Sequence, residues 1–80
     1  FNTETRRHRG EMNEFLDRMS AILETPVTAE TRFRELTDWS SLKAFGILVT
    51  LENDYRRPMT LDEFQKLNVI SELAQAVGLL

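Results

Sequence analysis

The chain has 80 residues, a formal net charge of −3 and no cysteine. That length indicates one small domain, and the missing thiols exclude disulfides, thiolate metal sites and cysteine nucleophiles. An acidic chain is poorly suited to nucleic-acid phosphates, and every apolar run is shorter than the roughly 20 residues that a membrane helix needs. We therefore expect a single domain over residues 1–80 in the cytoplasm, the default compartment for a cysteine-free chain. Its core is expected over residues 10–78, with residues 1–9 either frayed or extending the first helix.

The first predicted helix ends by about Glu24, because the residue ahead of Pro26 avoids helical backbone angles. Thr3 or Thr5 is the candidate cap at its start, and Gly10 weakens the extension toward the N-terminus. The apolar residues of this helix recur at three- and four-residue spacing and form one face: Met12, Phe15, Leu16, Met19, Ile22 and Leu23.

A long loop over residues 25–40 is predicted next. Long loops in compact domains are uncommon and are often functional. A short turn over residues 30–36 is expected inside it, with Phe33 and Leu36 anchoring the loop to the core.

The second predicted helix runs from Ser41 to Tyr55, with Ser40 as its N-cap. Apolar residues cover most of its circumference, which is typical of a central helix. The remaining positions share one line along the helix, which we expect to be exposed: Lys43, Gly46, Thr50 and Asn53.

A short third helix is predicted from a cap at Thr60, and a fourth helix from a cap at Asn68 to an end at Gly78. The apolar positions of these two helices are Leu61, Phe64 and Leu67, followed by Val69, Leu73, Ala76 and Val77. The predicted fold class is therefore all-α, with three long helices, one short helix and a long loop between helices one and two.

Few residues offer chemistry. His8 lies in a basic segment without an implied partner and is interpreted as a solvated surface residue. The carboxylates of Asp62 and Glu63 are adjacent, so they point to different sides of a helix. No acid–base set, metal-ligand spacing or glycine-rich phosphate loop occurs, which argues against an enzyme. The serines at positions 40 and 41 remain, and a phosphate ester on either would suit the N-terminus of a helix.

Several short pieces of the chain, in order, resemble the acyl carrier proteins of the phosphopantetheine-binding family. The Ser40-Ser41-Leu42 triplet after Trp39 is similar to the Trp-Asp-Ser-Leu form of the motif that opens helix two in that family. The resemblance covers roughly residues 10–78. Further matching positions are Thr31, Phe33, Glu35 and Leu36 in the loop, Leu51, Glu52 and Tyr55 at the end of helix two, and Leu67, Asn68 and Val69 before helix four.

The resemblance implies an acyl-carrier-like bundle in which Ser41 bears 4′-phosphopantetheine, taken from coenzyme A by a phosphopantetheinyl transferase. The thiol of that arm would carry acyl groups as thioesters between acyl-loading and acyl-processing enzymes. The partner-binding surface would include Asp38, Leu42, Lys43 and Phe45. We expect a monomeric, non-catalytic carrier that binds no metal and no nucleic acid.

The sequence departs from the family pattern at three positions. Ser40 stands where the family has aspartate, although Asp38 lies two residues earlier. Lys43 and Gly46 stand where acidic residues often face partner enzymes, and charge governs partner choice. A specialised lipid or secondary-metabolite pathway is therefore expected.

Two other hypotheses remain open. A helical interaction module without a prosthetic group would follow if Ser40 marks a degenerate motif. A helix-turn-helix DNA binder would use residues 42–55 and 61–67, but the second of these bears Asp62 and Glu63 with only Lys66, which suits DNA poorly.

Overall fold

A computed structural model describes the backbone of residues 3–80 and the side chains of residues 10–80. Four helices follow in order: α1 (Thr3–Leu23), α2 (Ser41–Tyr55), α3 (Leu61–Gln65) and α4 (Ile70–Ala76). A short 3-10 helix at Phe33–Glu35 interrupts the loop between α1 and α2. No strand occurs over residues 3–80, so the predicted all-α class is confirmed. No helix in this part of the chain has the length and apolar character needed to cross a membrane.

One hydrophobic core unites the helices and the loop. Phe15, Met19 and Leu23 contribute from α1, and Ile47 and Leu51 contribute from α2. The other fully or nearly fully buried apolar residues come from the loop, α3 and the C-terminal segment: Val27, Phe33, Phe64, Ile70, Leu73, Ala74 and Leu79. Phe33 is completely buried and Leu36 packs against the same cluster, as expected for the loop anchors.

The long loop is held by backbone hydrogen bonds to the start of α4. The Ile70 N–H donates to the Thr31 carbonyl at 3.0 Å, and the Ser71 N–H donates to the Ala29 carbonyl at 2.8 Å. These bonds satisfy amide groups that a helix N-terminus leaves without partners inside the helix. The loop therefore has a fixed course into α2.

The prediction of an exposed line of four residues along α2, from Lys43 to Asn53, is wrong, because most of this line faces α1. A Cβ atom added at Gly46 would lie 3.1 Å from Ile22 Cγ2, so the glycine permits a close approach of the two helices. The Lys43 side chain is only 13% exposed, and Thr50 is half-buried. Only Asn53, at the far end of the line, is exposed as expected.

Apolar residues occupy most of the circumference of α2 as predicted, but the protein does not cover the helix on all sides. With its small-residue side against α1, the helix turns a different line of residues outward. Leu42 is 79% exposed, Phe45 63% and Val49 36%. Their spacing of three and four residues puts them on one side of the helix. We call Leu42, Phe45 and Val49 the apolar stripe.

The last two helices are short, and hydrogen bonds between residues close in sequence cap their starts. Thr60 and Glu63 form a capping box at the start of α3, as the cap prediction at Thr60 required. The N-cap of α4 is Val69, one residue later than expected, because the Glu72 carboxylate accepts from the Asn68 and Val69 amides. With seven residues, α4 is shorter than predicted.

The C-terminus of α4 follows the glycine signal. Gly78 has φ of +83°, and the Leu79 N–H donates to the Ala74 carbonyl at 2.9 Å. This is the left-handed termination that glycine adopts without steric cost. It turns Leu79 back into the core, where it is buried.

Candidate functional site at the start of α2

The two serines at the start of α2 have different surroundings. Ser40 has an extended backbone, and its Oγ accepts a hydrogen bond from the Lys43 N–H at 3.3 Å, so its predicted role as N-cap is confirmed. Ser41 is the first helical residue and is exposed. Because Ser40 performs the capping, the Ser41 hydroxyl is left at the surface beside the positive end of the helix dipole.

Lys43 is directed toward the end of α1. Its Nζ donates to the Leu23 carbonyl at 3.3 Å and lies 3.6 Å from Glu24 Oε1. Glu24 has φ of +59°, in the left-handed region, where α1 terminates. The ammonium group thus interacts favourably with the negative end of α1.

Of the four residues predicted to bind partners, Asp38, Leu42 and Phe45 are exposed next to Ser41. Lys43 is largely covered, which the sequence pattern did not indicate. Phe45 lines a groove together with Ser41, whereas Asp38 and Leu42 line a separate depression with Ser40 and Lys43.

A groove of about 400 Å³ lies between α2 and α3 and reaches Ser41. We call it the α2–α3 groove. Its walls are predominantly apolar and come from α2, α3 and the residue that precedes the Ser40 cap: Ala44, Phe45, Leu48, Leu61, Phe64 and Trp39. Its polar lining consists of Ser41, Gln65 and Arg34. Pockets of this size and composition are typical of small-molecule sites.

Arg34 lies against three aromatic rings at this groove. Its guanidinium carbon is 4.6 Å from the ring centroid of Phe64, 5.3 Å from that of Phe33 and 5.7 Å from that of Trp39. The rings also pack on one another, with centroids 5.3 Å apart for Phe33 and Trp39 and 6.4 Å apart for Trp39 and Phe64. Cation–π contacts of this kind hold a cation at an apolar surface.

The Arg34 side chain is also fixed by hydrogen bonds to carbonyls of α3 and of the segment that follows it. Its Nε donates to the Leu67 carbonyl at 2.8 Å, and its Nη2 donates to the Phe64 carbonyl. These acceptors lie 33 and 30 residues further along the chain. The sequence did not indicate a role for Arg34, because local patterns do not predict hydrogen bonds to residues so far along the chain.

The carboxylates of Glu63 and Asp54 interact with neighbouring groups of the protein. Glu63 Oε1 accepts from the Thr60 N–H at 3.0 Å, and this backbone hydrogen bond lowers the pKa of the Glu63 carboxyl. Asp54 lies 3.3 Å from Arg18 on α1. Among the residues that the structure describes, no three histidine, cysteine or acidic residues are grouped to hold a metal. His8 lies outside the residues whose side chains are described.

Chemically, the groove offers an exposed alcohol but no base to activate it, since its lining contains no histidine and no carboxylate. A reaction at the Ser41 hydroxyl therefore needs a base from elsewhere. Comparisons of the chain with protein-family models, with curated proteins and with solved structures found no match.

Proposed function

We propose that this protein is an acyl carrier, which holds acyl groups as thioesters on a 4′-phosphopantetheine arm attached to Ser41. The observation that carries the proposal is the division of roles between the two serines. Ser40 accepts the capping hydrogen bond, and Ser41 presents an unused, exposed hydroxyl on the first turn of α2. The resemblance of the Trp39 to Leu42 segment to the carrier motif supports the same assignment.

The residues around Ser41 fit a phosphodiester. The N-terminus of the 15-residue α2 provides backbone N–H groups and a positive dipole end, both of which favour an anion. Attachment joins Ser41 Oγ to the phosphorus next to the pantetheine of coenzyme A. The bond from that phosphorus to the bridging oxygen breaks, and adenosine 3′,5′-bisphosphate leaves. A base on a separate transferase takes the hydroxyl proton, since the groove supplies none.

Once attached, the arm supplies a thiol for thioester chemistry, and this chain supplies recognition. Leu42 and Phe45 are exposed beside Ser41, which suits docking of acyl-loading and acyl-processing enzymes. The Lys43 ammonium is paired with Glu24 at the end of α1, although Lys43 and Asp38 line the same depression. We further propose that the carrier is non-catalytic, monomeric and cytoplasmic. A specialised lipid or secondary-metabolite pathway is proposed because Lys43 and Gly46 stand where acidic residues often face partner enzymes, and charge governs partner choice.

Intact-mass measurement tests the proposal. The protein is incubated with coenzyme A, magnesium and a broad-specificity phosphopantetheinyl transferase. A gain of one phosphopantetheinyl unit is expected in the natural sequence and in Ser40→Ala, and none in Ser41→Ala. Ser40→Ala is the matched control, because it removes the neighbouring hydroxyl and costs roughly 1 kcal/mol of helix capping. A gain that persists in Ser41→Ala contradicts the assignment.

A second candidate function is a helical interaction module without a prosthetic group. The apolar stripe favours it, because contiguous exposed apolar side chains mark sites of protein association. Unchanged mass with several transferases is the outcome that this alternative predicts.

A further inference from the structure

The α2–α3 groove contains one charged side chain, that of Arg34. No carboxylate lines the groove, and the ion pairs among the described side chains do not include Arg34. The cation is half-buried between aromatic rings, where water screens its charge less than at an open surface. Among the side chains of residues 10–80, this positive charge therefore has no anionic partner.

The guanidinium is held in one orientation before any ligand arrives. Two of its nitrogens donate to the carbonyls of Phe64 and Leu67, and its central carbon lies 4.6 Å from the Phe64 ring centroid. Arginine presents five N–H donors in a rigid fork, so two such bonds leave donors for another acceptor. Planar carboxylates match that fork better than any neutral group does.

We propose that the groove takes an acyl chain that ends in a carboxylate, and that Arg34 is the residue that selects it. The apolar walls formed by Leu48, Leu61 and Phe64 suit the methylenes of such a chain, and Arg34 binds its terminal carboxylate. Ser41 lies at the same groove, so an arm attached to it is anchored at the edge of the groove and can fold back to place its acyl end there. The choice of cargo rests on the proposed carrier function, whereas the carboxylate preference belongs to the groove.

The preference is tested first with soluble ligands and the unmodified protein. S-glutaryl-pantetheine and S-pentanoyl-pantetheine share three methylenes and differ in a carboxylate or a methyl group at the end. Trp39, the one tryptophan of the chain, lines the groove and reports binding by its fluorescence. The glutaryl compound is expected to bind roughly five-fold more tightly. Equal affinities would overturn the proposal.

Two arginine variants assign the preference to Arg34. Arg34→Gln is expected to abolish the difference between the two ligands. Arg57→Gln is the matched control, because Arg57 also donates to a helix-terminal carbonyl, that of Ala76, but does not line the groove. It is expected to keep the difference. If Arg34→Gln does not fold, Arg34→Lys, which keeps the charge but loses the planar fork, is expected to weaken glutaryl binding selectively.

Loading through Ser41 separates the two proposals. If a transferase attaches glutaryl- and pentanoyl-phosphopantetheine, the ¹H–¹⁵N resonances of the Trp39 indole and the Arg34 Nε–H group are expected to shift more with the glutaryl arm. If no transferase modifies Ser41, the carrier function fails, and the soluble-ligand titration still decides the carboxylate preference. A glutaryl preference that survives in Arg34→Gln overturns the role of that residue in either case.

Discussion

Ser40 and Lys43 differ in how well the sequence predicts the position and role of their side chains. The cap at Ser40 was predictable, because capping depends on the residue type and on amides two or three positions away. The position of Lys43 was not, since its acceptor is the carbonyl of Leu23, twenty residues earlier, which comes within reach only when α1 packs against α2. Local chemistry could be predicted from the sequence, and long-range pairing could not.

Tyr55 illustrates a polar atom that burial leaves without a partner. Its hydroxyl is buried and has no hydrogen-bond partner in the described part of the chain, while its ring packs edge-on against Phe15 with centroids 5.3 Å apart. Tyr55→Phe is therefore expected to unfold at an equal or higher urea concentration, with a gain of up to about 1 kcal/mol.

Burial also raises the pKa of the Tyr55 phenol, partly opposed by the charge of Arg18. Because the fold disfavours the ionised phenol, stability falls as pH rises from the unfolded-state pKa through the folded-state pKa of Tyr55, and the phenylalanine variant should resist alkali better.

Tyr55→Leu is the control for that experiment, because it removes the ring contact along with the hydroxyl. A loss of stability in Tyr55→Phe as large as in Tyr55→Leu would mean that the hydroxyl makes a favourable interaction.

The glycines of α1 and α2 are expected to differ in what they tolerate. A Cβ atom at Gly46 would meet Ile22 at 3.1 Å, whereas a Cβ atom at Gly10 has nothing within 4 Å. Gly46→Leu is expected to lower the free energy of unfolding by about 1–3 kcal/mol, because it forces the helices apart. The same substitution at Gly10 is expected to raise it by about 0.5–1 kcal/mol through helix propensity. Chemical denaturation of both variants measures the contrast, and equal effects would argue against close packing at Gly46.

At the scale of the helices, their ends agreed with prediction better than their orientations did. Thr60 and Gly78 act through bonds within a few residues, so the start of α3 and the termination after α4 followed from the sequence. The orientation of α2 did not follow, because apolar residues surround most of that helix and the pattern favours no single face. In the structure Gly46 lies close to Ile22 of α1, and the apolar stripe faces outward.

The starts of α3 and α4 are expected to respond to acid. Backbone hydrogen bonds lower the pKa of Glu63, through Thr60, and of Glu72, through Asn68 and Val69, from an ordinary value of 4.5. A carboxyl with a lowered pKa stabilises the fold above its unfolded-state pKa, and the contribution is lost as pH falls through the folded-state value. Stability should therefore decline below about pH 4.5.

Urea denaturation at a series of pH values checks this. The double variant Glu63→Gln/Glu72→Gln is expected to depend less on pH in the acid range than the natural sequence. Glu52→Gln, at an exposed position on α2, is the control and should keep the natural dependence. An unchanged acid response in the double variant would rule out these two caps as its source.

At the scale of the whole molecule, the candidate site depends on contacts between distant segments. The loop contributes Arg34, α2 contributes Phe45 and α3 contributes Phe64 to a single groove. The all-α class and the loop anchor Phe33 were predictable, because the spacing of apolar residues within each segment indicates which of its residues are buried. The groove was not predictable, since its walls come from segments that are distant in the sequence and meet only through their packing.

Two phenylalanines are expected to contribute very differently to stability. Phe33 is completely buried and Phe45 is 63% exposed. Phe33→Ala is expected to cost about 3–5 kcal/mol of stability, and Phe45→Ala less than about 0.5 kcal/mol. Thermal and urea denaturation measure both. A large loss in Phe45→Ala would mean that the apolar stripe belongs to the core and is not a free surface.

The contact of Lys43 with the end of α1 makes two helix termini dependent on each other. Its ammonium group satisfies the Leu23 carbonyl, and its own backbone N–H binds Ser40 to begin α2. Fraying of either terminus therefore removes support from the other, and the two turns are expected to open as one cooperative unit. Amide protons of the two turns should therefore exchange with solvent together, and a change that holds the first turn of α2 closed should also slow exchange at the last turn of α1.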